Sequence, residues 1–271
     1  MPKQLLIYES AVPVSPARHA GVSVDVEERY GFSAAVNAVP LMAIEFARAS
    51  PEYAIVFTAE GDDMIPKAVL GVRNEQNLYL ATDARWKADY IPAFIRRYPF
   101  VFSSSADGQS FTLCLDEAYP GVNRDGRGAA LFDADAKPTP YVEKVLEFLK
   151  EYQLQFERTR AFGRRIKDLG LLEPMQANVT TAAGEKLTLG GFMVVSRERL
   201  HSLGGDELQQ LARGDELELL YLHLASMHSF DKLKDRLAGP PPGTTAAPAA
   251  NPAVPAKPVR KARAPFKRAS K

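Results

Sequence analysis

Short apolar segments separated by turn residues dominate the first half of the chain. Residues 53–58 (YAIVFT) form a continuous run rich in β-branched and aromatic residues, which predicts a buried strand. Residues 66–72 and 78–80 predict a second and a third strand, with short polar turns between them. Connections this short favour antiparallel pairing. The pattern therefore predicts an antiparallel meander over residues 53–80.

A hairpin is predicted further along the chain. Residues 100–103 and 110–116 flank Asp107-Gly108, a dipeptide typical of tight hairpin turns. Between the third strand and this hairpin, residues 88–97 predict a short helix that is interrupted or begins near Pro92. The expected arrangement is a sheet of about five strands with one helical insertion.

The N-terminal segment has a different character. Residues 1–30 predict extended chain, because Pro13 and Pro16 disfavour a helix there. Residues 5–8 (LLIY) are apolar enough for an edge strand, and residues 41–48 predict a short helix.

The longest regular element is predicted after residue 139. Thr139 suits an N-cap, Pro140 the first helical position and Gly170 the position just past the end. Apolar residues recur at helical spacing in between, so an unbroken helix would be ~45 Å long, with a possible bend at Gly163. The charged residues of the predicted solvated face are Glu157, Arg158, Arg160, Arg164 and Arg165.

The remaining elements complete the expected fold class. Residues 179–181 and 185–189 flank Ala183-Gly184, which predicts another hairpin. The further predicted elements are a buried strand at 192–195, a short helix at 206–212 and a second helix at 215–237. The chain is therefore expected to be α+β, with an antiparallel-rich sheet, a long helix and a C-terminal helical segment.

A change in composition marks a boundary at Gly239. Residues 239–271 hold eight prolines and seven of the 34 basic residues but no acidic residue. This leaves 27 basic against 33 acidic residues in 1–238, which predicts a mildly acidic globular domain followed by a disordered basic tail. Such a tail can contact nucleic acid or an anionic surface weakly, or it can serve for solubility without a fixed partner.

Recognised catalytic and metal-binding patterns are missing from the sequence. Cys114 is the single cysteine and lies in the strand-like FTLCLD, which predicts a packed thiol and excludes an intramolecular disulfide. His223 and His228 point about 140° apart on a predicted helix and cannot share a metal. We therefore expect no metal and no cofactor.

Targeting signals are also missing. The apolar run at residues 5–8 is too short for a signal peptide, and no run approaches the ~18–20 residues of a membrane span. The prediction is a soluble cytoplasmic protein that does not span a membrane, with export by a non-classical route left open.

The densest chemistry lies in residues 85–102 (RWKADYIPAFIRRYPFVF). Its aromatics at helical spacing indicate a face that covers the core, although Trp, Tyr and Arg together are also typical of binding hot spots. The adjacent guanidinium groups of Arg96 and Arg97 could clamp a carboxylate or phosphate, or pair with acidic residues of the domain. The candidate ligand- or partner-binding residues are Trp86, Tyr90, Arg96, Arg97, Tyr98 and Asp116, and the alternative for Asp116 is a solvated strand end.

Nine stretches, in order, resemble one family of bacterial proteins. They are NAVPLMAIEF (37–46), YAIVF (53–57), WKADYIPAFIRRYPF (86–100), LCLDE (113–117), LFD…PTPY (131–141), LEFLKEYQLQFERTRAF (146–162), LGLLEPMQANV (169–179), GGFMVVSRERL (190–200) and DELELLYLHLASM (215–227). Together they resemble the SapC family, which takes its name from bacterial surface-layer gene clusters and has no assigned reaction.

The resemblance implies a non-enzymatic accessory or interaction protein linked to surface-layer or envelope processes, with an unknown protein partner. The alternative is a small-ligand-binding protein or an uncharacterised enzyme that uses an Arg/Tyr pocket around Arg96, Arg97 and Tyr98. No catalytic residue is carried over by the resemblance, since none is established for the family.

Overall fold

The computed structural model describes residues 6–105, 108, 110–181 and 184–238, and their helices and antiparallel sheets confirm the α+β prediction. In its first half the elements are β1 (Ala11–Pro13), α1 (Pro16–His19), β2 (Ser23–Val24), β3 (Ala38–Pro40), α2 (Phe46–Ala49), β4 (Ile55–Glu60), β5 (Asp63–Val69), α3 (Ala93–Arg96), β6 (Phe100–Ser104), β7 (Phe111–Asp116), β8 (Val122–Asn123) and β9 (Ala129–Ala130). Two single 3-10 turns, Gly31–Ser33 and Ala43–Glu45, lie among them.

The second half is organised by the predicted long helix. It runs as α4 over Pro140–Asp168, with proline at its first position and Gly170 at φ +66° just past its end. The later elements are β10 (Leu172–Thr180), β11 (Lys186–Val195), α5 (Arg197–His201), α6 (Gly205–Arg213), α7 (Glu216–Ser226) and α8 (Ser229–Ala238).

The strands form three separate sheets in the described residues. Their orders are β10-β11-β4-β5-β3, β1-β7-β6 and β8-β2-β9, and every pairing between strands is antiparallel. The predicted strands at 53–58 and 66–72 are confirmed as β4 and β5, shifted by two or three residues. The hairpin β6–β7 is also confirmed, but it pairs with β1 in its own sheet and does not extend the meander.

Helix α4 packs directly on β5, and Gly163 permits that approach. A Cβ atom at position 163 would lie 1.9 Å from the Met64 carbonyl oxygen. The glycine therefore brings the helix against the backbone of the strand, which explains its presence in the middle of a long helix.

The third predicted strand is wrong. Within residues 78–80, only Leu80 makes a bridge, to Trp86, and the segment is otherwise turn. Tyr79 is fully buried, and its hydroxyl donates a 2.7 Å hydrogen bond to the Glu52 carbonyl. The apolar character of this segment therefore reflects a buried aromatic anchor in a loop, not strand pairing.

Predictions near the N-terminus also need correction. No strand forms at residues 6–8, and the sheet edge is β1 instead. Pro16, which we expected to prevent a helix, occupies the first position of α1, where a backbone N–H is not needed.

The single helix predicted over 215–237 is divided into α7 and α8. Ser226, at the end of α7, donates to the His223 carbonyl at 2.6 Å and accepts from the Ile55 N–H at 3.0 Å. This tertiary bond fixes the end of α7 on β4, and a new helix starts at Ser229.

Three arginines of the predicted solvated face of α4 are ion-paired instead. Arg165 Nε lies 3.2 Å from Glu216 Oε2, and the other two share Asp63. Arg160 Nε donates to Asp63 Oδ2 at 2.7 Å, and Arg164 contacts the other oxygen of the same carboxylate. Arg164 and Arg160 together lower the pKa of Asp63. The two ion pairs with Asp63 fix α4 to the start of β5.

Asp107, Ala183 and the whole predicted tail, 239–271, lie outside the described residues, so the disorder of the tail and its proposed contacts stay predictions.

Candidate functional site

A cleft of about 420 Å³ lies where α3 and the loop before it face α4 and the turn before α2. We call it the Tyr90 cleft. Its lining residues are Met42, Ile44, Glu45, Arg48, Asp89, Tyr90, Ile91, Ala93, Arg96, Phe148, Glu151, Tyr152 and Gln155. This size is typical of sites that hold a small organic molecule.

The buried carboxylate of Glu45 holds two walls of the Tyr90 cleft together. One oxygen accepts 2.7 Å hydrogen bonds from the Tyr90 hydroxyl and the Ala93 N–H, and the other accepts from the Met42 N–H. Burial raises the pKa of Glu45, although these three donors act in the opposite direction. The hydrogen bonds to this carboxylate thus hold the loop that carries Tyr90 in place.

Two arginine side chains lie over the Tyr90 ring. The Arg48 guanidinium carbon is 4.9 Å from the ring centroid, and that of Arg96 is 5.8 Å from the same centroid. Arg96 also lies 5.4 Å from the centroid of Phe148 and donates to the Ile91 carbonyl at 3.0 Å. Within the described residues, neither arginine forms an ion pair.

A second hollow, of about 360 Å³, adjoins the Tyr90 cleft along α4. We call it the Tyr141 hollow. Its lining residues are Val26, Arg96, Arg97, Tyr98, Phe100, Tyr141, Lys144, Val145 and Phe148. Arg96 and Phe148 line both cavities, so the two lie side by side.

Arg96 and Arg97 lie in different surroundings, because successive helical residues point about 100° apart. Arg96 is exposed, whereas Arg97 is only 4% exposed. The Arg97 guanidinium carbon lies 4.3 Å from the ring centroid of Phe94 and 4.8 Å from that of Tyr152. It also hydrogen-bonds the Tyr8 hydroxyl. Arg97 is therefore held mainly by aromatic packing, and Arg96 is the one of the two that faces both cavities.

Trp86 lies outside both cavities and supports Tyr90 indirectly. Its ring nitrogen donates to the Tyr53 hydroxyl at 2.7 Å, and that hydroxyl donates in turn to the Tyr90 carbonyl. The expected helical face of Trp86, Tyr90 and Phe94 does not form, because Pro92 delays the helix until Ala93.

Asp116 is a buried anchor and not a solvated strand end. Its side chain is fully buried and accepts hydrogen bonds from the N–H groups of Glu9 and Ser10, each at 2.9 Å. The Tyr98 phenol hydrogen-bonds the same carboxylate. The pKa of Tyr98 is raised, mainly by burial and to a smaller extent by the negative charge of Asp116. Tyr98 therefore joins a structural network and borders the Tyr141 hollow.

Four residues that line the cavities were not predicted from the sequence: Glu45, Arg48, Lys144 and Phe148. One signal was present for Glu45, because it is the single acidic residue in the apolar segment 37–46. A carboxylate in such a segment needs buried hydrogen-bond donors. Nothing in the sequence joins Arg48 to Arg96, which come together only through the ring of Tyr90.

The described residues do not support a reactive cysteine or a metal site. Cys114 is buried in β7 as predicted, and burial raises the pKa of its thiol, which makes it a poor nucleophile. Among the described residues, no group of three or more His, Cys, Asp or Glu side chains is placed to hold a metal ion. No helix in that part of the chain is long and apolar enough to cross a membrane.

The fold and the two cavities define an α+β protein with a small, partly basic cleft on one side of its long helix. The chain belongs to the SapC family, whose model matches residues 14–233. No curated protein and no solved structure matches it. The family assignment covers all elements that line the Tyr90 cleft and the Tyr141 hollow.

Proposed function

We propose that this protein binds a small organic molecule in the Tyr90 cleft. The observation that carries the proposal is the position of Arg48 and Arg96 beside the same tyrosine ring, with their guanidinium carbons 4.9 Å and 5.8 Å from its centroid. Within the described residues neither guanidinium is compensated by an ion pair, and both line a cleft of about 420 Å³. Positioned cations and aromatic rings that line a cleft are typical of ligand sites.

The walls of the cleft favour a ligand with an apolar part. Ile44, Ile91 and Phe148 provide apolar surface, and the Tyr90 ring is fixed from behind by the Glu45 carboxylate. A fixed aromatic wall loses little side-chain entropy when it is contacted. The cleft is therefore already formed without its ligand.

The test is a titration of the full-length protein followed by amide chemical shifts in NMR. The probes are three acids, each paired with its amide: benzoate with benzamide, 4-phenylbutyrate with 4-phenylbutanamide, and hexanoate with hexanamide. We expect at least one pair to shift the amides of Tyr90, Ile91 and Phe148 at millimolar concentration. Arg48→Ala should weaken that binding by about fivefold, because it removes one side of the cleft.

Arg213→Ala is the matched control, since Arg213 is exposed on α6 and lies outside both cavities. It should leave the affinity unchanged. The proposal is wrong if no probe shifts the cleft amides, or if Arg48→Ala binds the probes as tightly as Arg213→Ala and the natural chain do.

A second candidate function is a non-enzymatic accessory role in surface-layer or envelope processes, through a protein partner. It is supported by the gene clusters that give the family its name and by two exposed apolar residues on this side of the molecule. Ile44 is 64% exposed at the Tyr90 cleft, and Val26 is 56% exposed at the Tyr141 hollow. Large exposed apolar side chains at one place are typical of contact surfaces.

Affinity capture from the native cells would test this role. A protein recovered with the natural chain should be lost with Val26→Glu combined with Ile44→Glu. It should be retained with Leu154→Glu, which changes an exposed apolar residue of α4 that lines neither cavity. Recovery of the same proteins by both variants would remove support for the partner surface.

A further inference from the structure

Charge is distributed unequally between the two adjoining cavities. The Tyr141 hollow is lined by three cationic side chains, Arg96, Arg97 and Lys144, and by no carboxylate. The Tyr90 cleft contains two cations but also the carboxylates of Asp89 and Glu151, in addition to the buried Glu45. Since the described domain is acidic overall, a cavity with cations alone is a local exception that favours a negatively charged group.

The cations of the Tyr141 hollow differ in what they can offer. Arg97 is held among aromatic rings and contributes its positive charge from within the wall of the hollow. Lys144 is exposed on the first turns of α4 and makes no hydrogen bond or ion pair within the described residues. Arg96 stands at the junction with the Tyr90 cleft and can reach a group in either cavity. Lys144 and Arg96 are therefore the pair available to a ligand.

We infer that the Tyr90 cleft and the Tyr141 hollow are two halves of one site for a small organic anion. This inference rests on the proposed function and specifies its ligand class. The apolar body of the ligand lies against Tyr90 and Phe148, and its carboxylate or phosphate group lies between Arg96 and Lys144. Asp89 and Glu151 also line the Tyr90 cleft, and they disfavour an anionic group there because they would repel it.

The shared residues make a single ligand reasonable. Phe148 lines both cavities, so one ring can contact a ligand that extends from one cavity into the other. Tyr98, Phe100 and Tyr141 supply aromatic surface around the anionic end, and Arg96 and Lys144 supply the donors of charge-assisted hydrogen bonds.

The test compares the three acids with their amides, and adds phenyl phosphate to separate phosphate from carboxylate recognition. We expect the best acid, or phenyl phosphate, to bind about five to ten times more tightly than the matched amide or phenol. Lys144→Gln and Arg96→Gln should each remove most of that preference, because each should weaken the anion more than the neutral compound. High salt should weaken the anion and not the neutral compound.

Lys150→Gln is the matched control, because Lys150 is an exposed residue of α4 about 240° around the helix from Lys144. It should retain the preference for the anion. Shifts in the amides of Tyr141 and Lys144 on adding the anion, and not the neutral compound, would locate the charged group directly.

The outcomes separate the two proposals. If acids and amides bind the Tyr90 cleft equally and Lys144→Gln has no effect, the inference about the anion is overturned while the proposed ligand site stands. If neither acids, amides nor phenyl phosphate shift the amides of either cavity, the proposed function fails and the inference fails with it.

Discussion

The Tyr90 hydroxyl donates a 2.7 Å hydrogen bond to the Glu45 carboxylate, across 45 residues of sequence. The same oxygen accepts the Ala93 N–H, so the first turn of α3 and the loop before it share one buried acceptor. This relationship explains how an irregular segment presents a rigid aromatic wall. Tyr90 is positioned by the interior of the protein and not by a helix of its own.

Replacement of Glu45 by alanine should destabilise the protein strongly. The change leaves the Tyr90 hydroxyl and the Met42 and Ala93 N–H groups without their acceptor in a buried place. We expect a loss of about 3 kcal/mol in the free energy of unfolding. Urea denaturation measures it, with Glu147→Ala, an exposed position on α4, as the control. A loss below about 1 kcal/mol for Glu45→Ala would contradict the anchoring role.

The neighbouring arginines of α3 should behave differently when each is replaced by alanine. Arg97→Ala empties a space between the rings of Phe94 and Tyr152 and removes the bond to Tyr8, so we expect about 2–4 kcal/mol of destabilisation. Arg96→Ala removes an exposed side chain and should cost less than about 1 kcal/mol. Thermal and urea unfolding of both variants test the contrast. Similar losses in the two would show that the environments described for them do not matter for stability.

A methyl group at position 163 should disturb the contact between α4 and β5. Gly163→Ala places a carbon 1.9 Å from the Met64 carbonyl oxygen, so the helix or the strand must move. We expect at least about 2 kcal/mol of destabilisation, although alanine is the better helix former. Gly205→Ala is the matched control, because no atom lies within 4 Å of its added carbon. That variant should be neutral or slightly more stable when the two are compared by urea unfolding.

Mild acid should destabilise the protein through His223. The side chain is fully buried against Phe57, and its Nε2 accepts the Val195 N–H at 2.9 Å. Burial lowers the pKa of His223 from 6.5 to about 4. The unfolded chain therefore binds the proton first as the pH falls from 6.5 towards 4, and stability is lost across that window.

The expected loss from His223 between about pH 7.5 and about pH 5 is about 2 kcal/mol. Urea unfolding at the two pH values measures it. His223→Gln, which can still accept the Val195 N–H, should reduce the pH dependence by about that amount. His228→Gln, at an exposed position, should keep it. An unchanged pH dependence in His223→Gln would show that other groups cause the acid sensitivity.

Local patterns sufficed for the elements whose causes are local. Thr139-Pro140, the helical spacing of apolar residues and Gly170 define α4, because each signal acts within a turn or two of the chain. The runs that became β4 and β5 were also evident, since buried strands need continuous apolar surface. The loop at residues 78–80 was not, because a short apolar run does not distinguish a strand from a buried aromatic anchor.

The candidate site depended on tertiary structure to a greater extent. Sequence alone pointed to the segment from Trp86 to Tyr98, and its composition drew attention to Tyr90 and Arg96. Only the fold decided that Asp116 is buried against the backbone of Glu9 and Ser10, and that Arg48 and Lys144 approach Arg96. These outcomes depend on contacts between residues about 50 to 100 positions apart, which no local propensity or periodicity encodes.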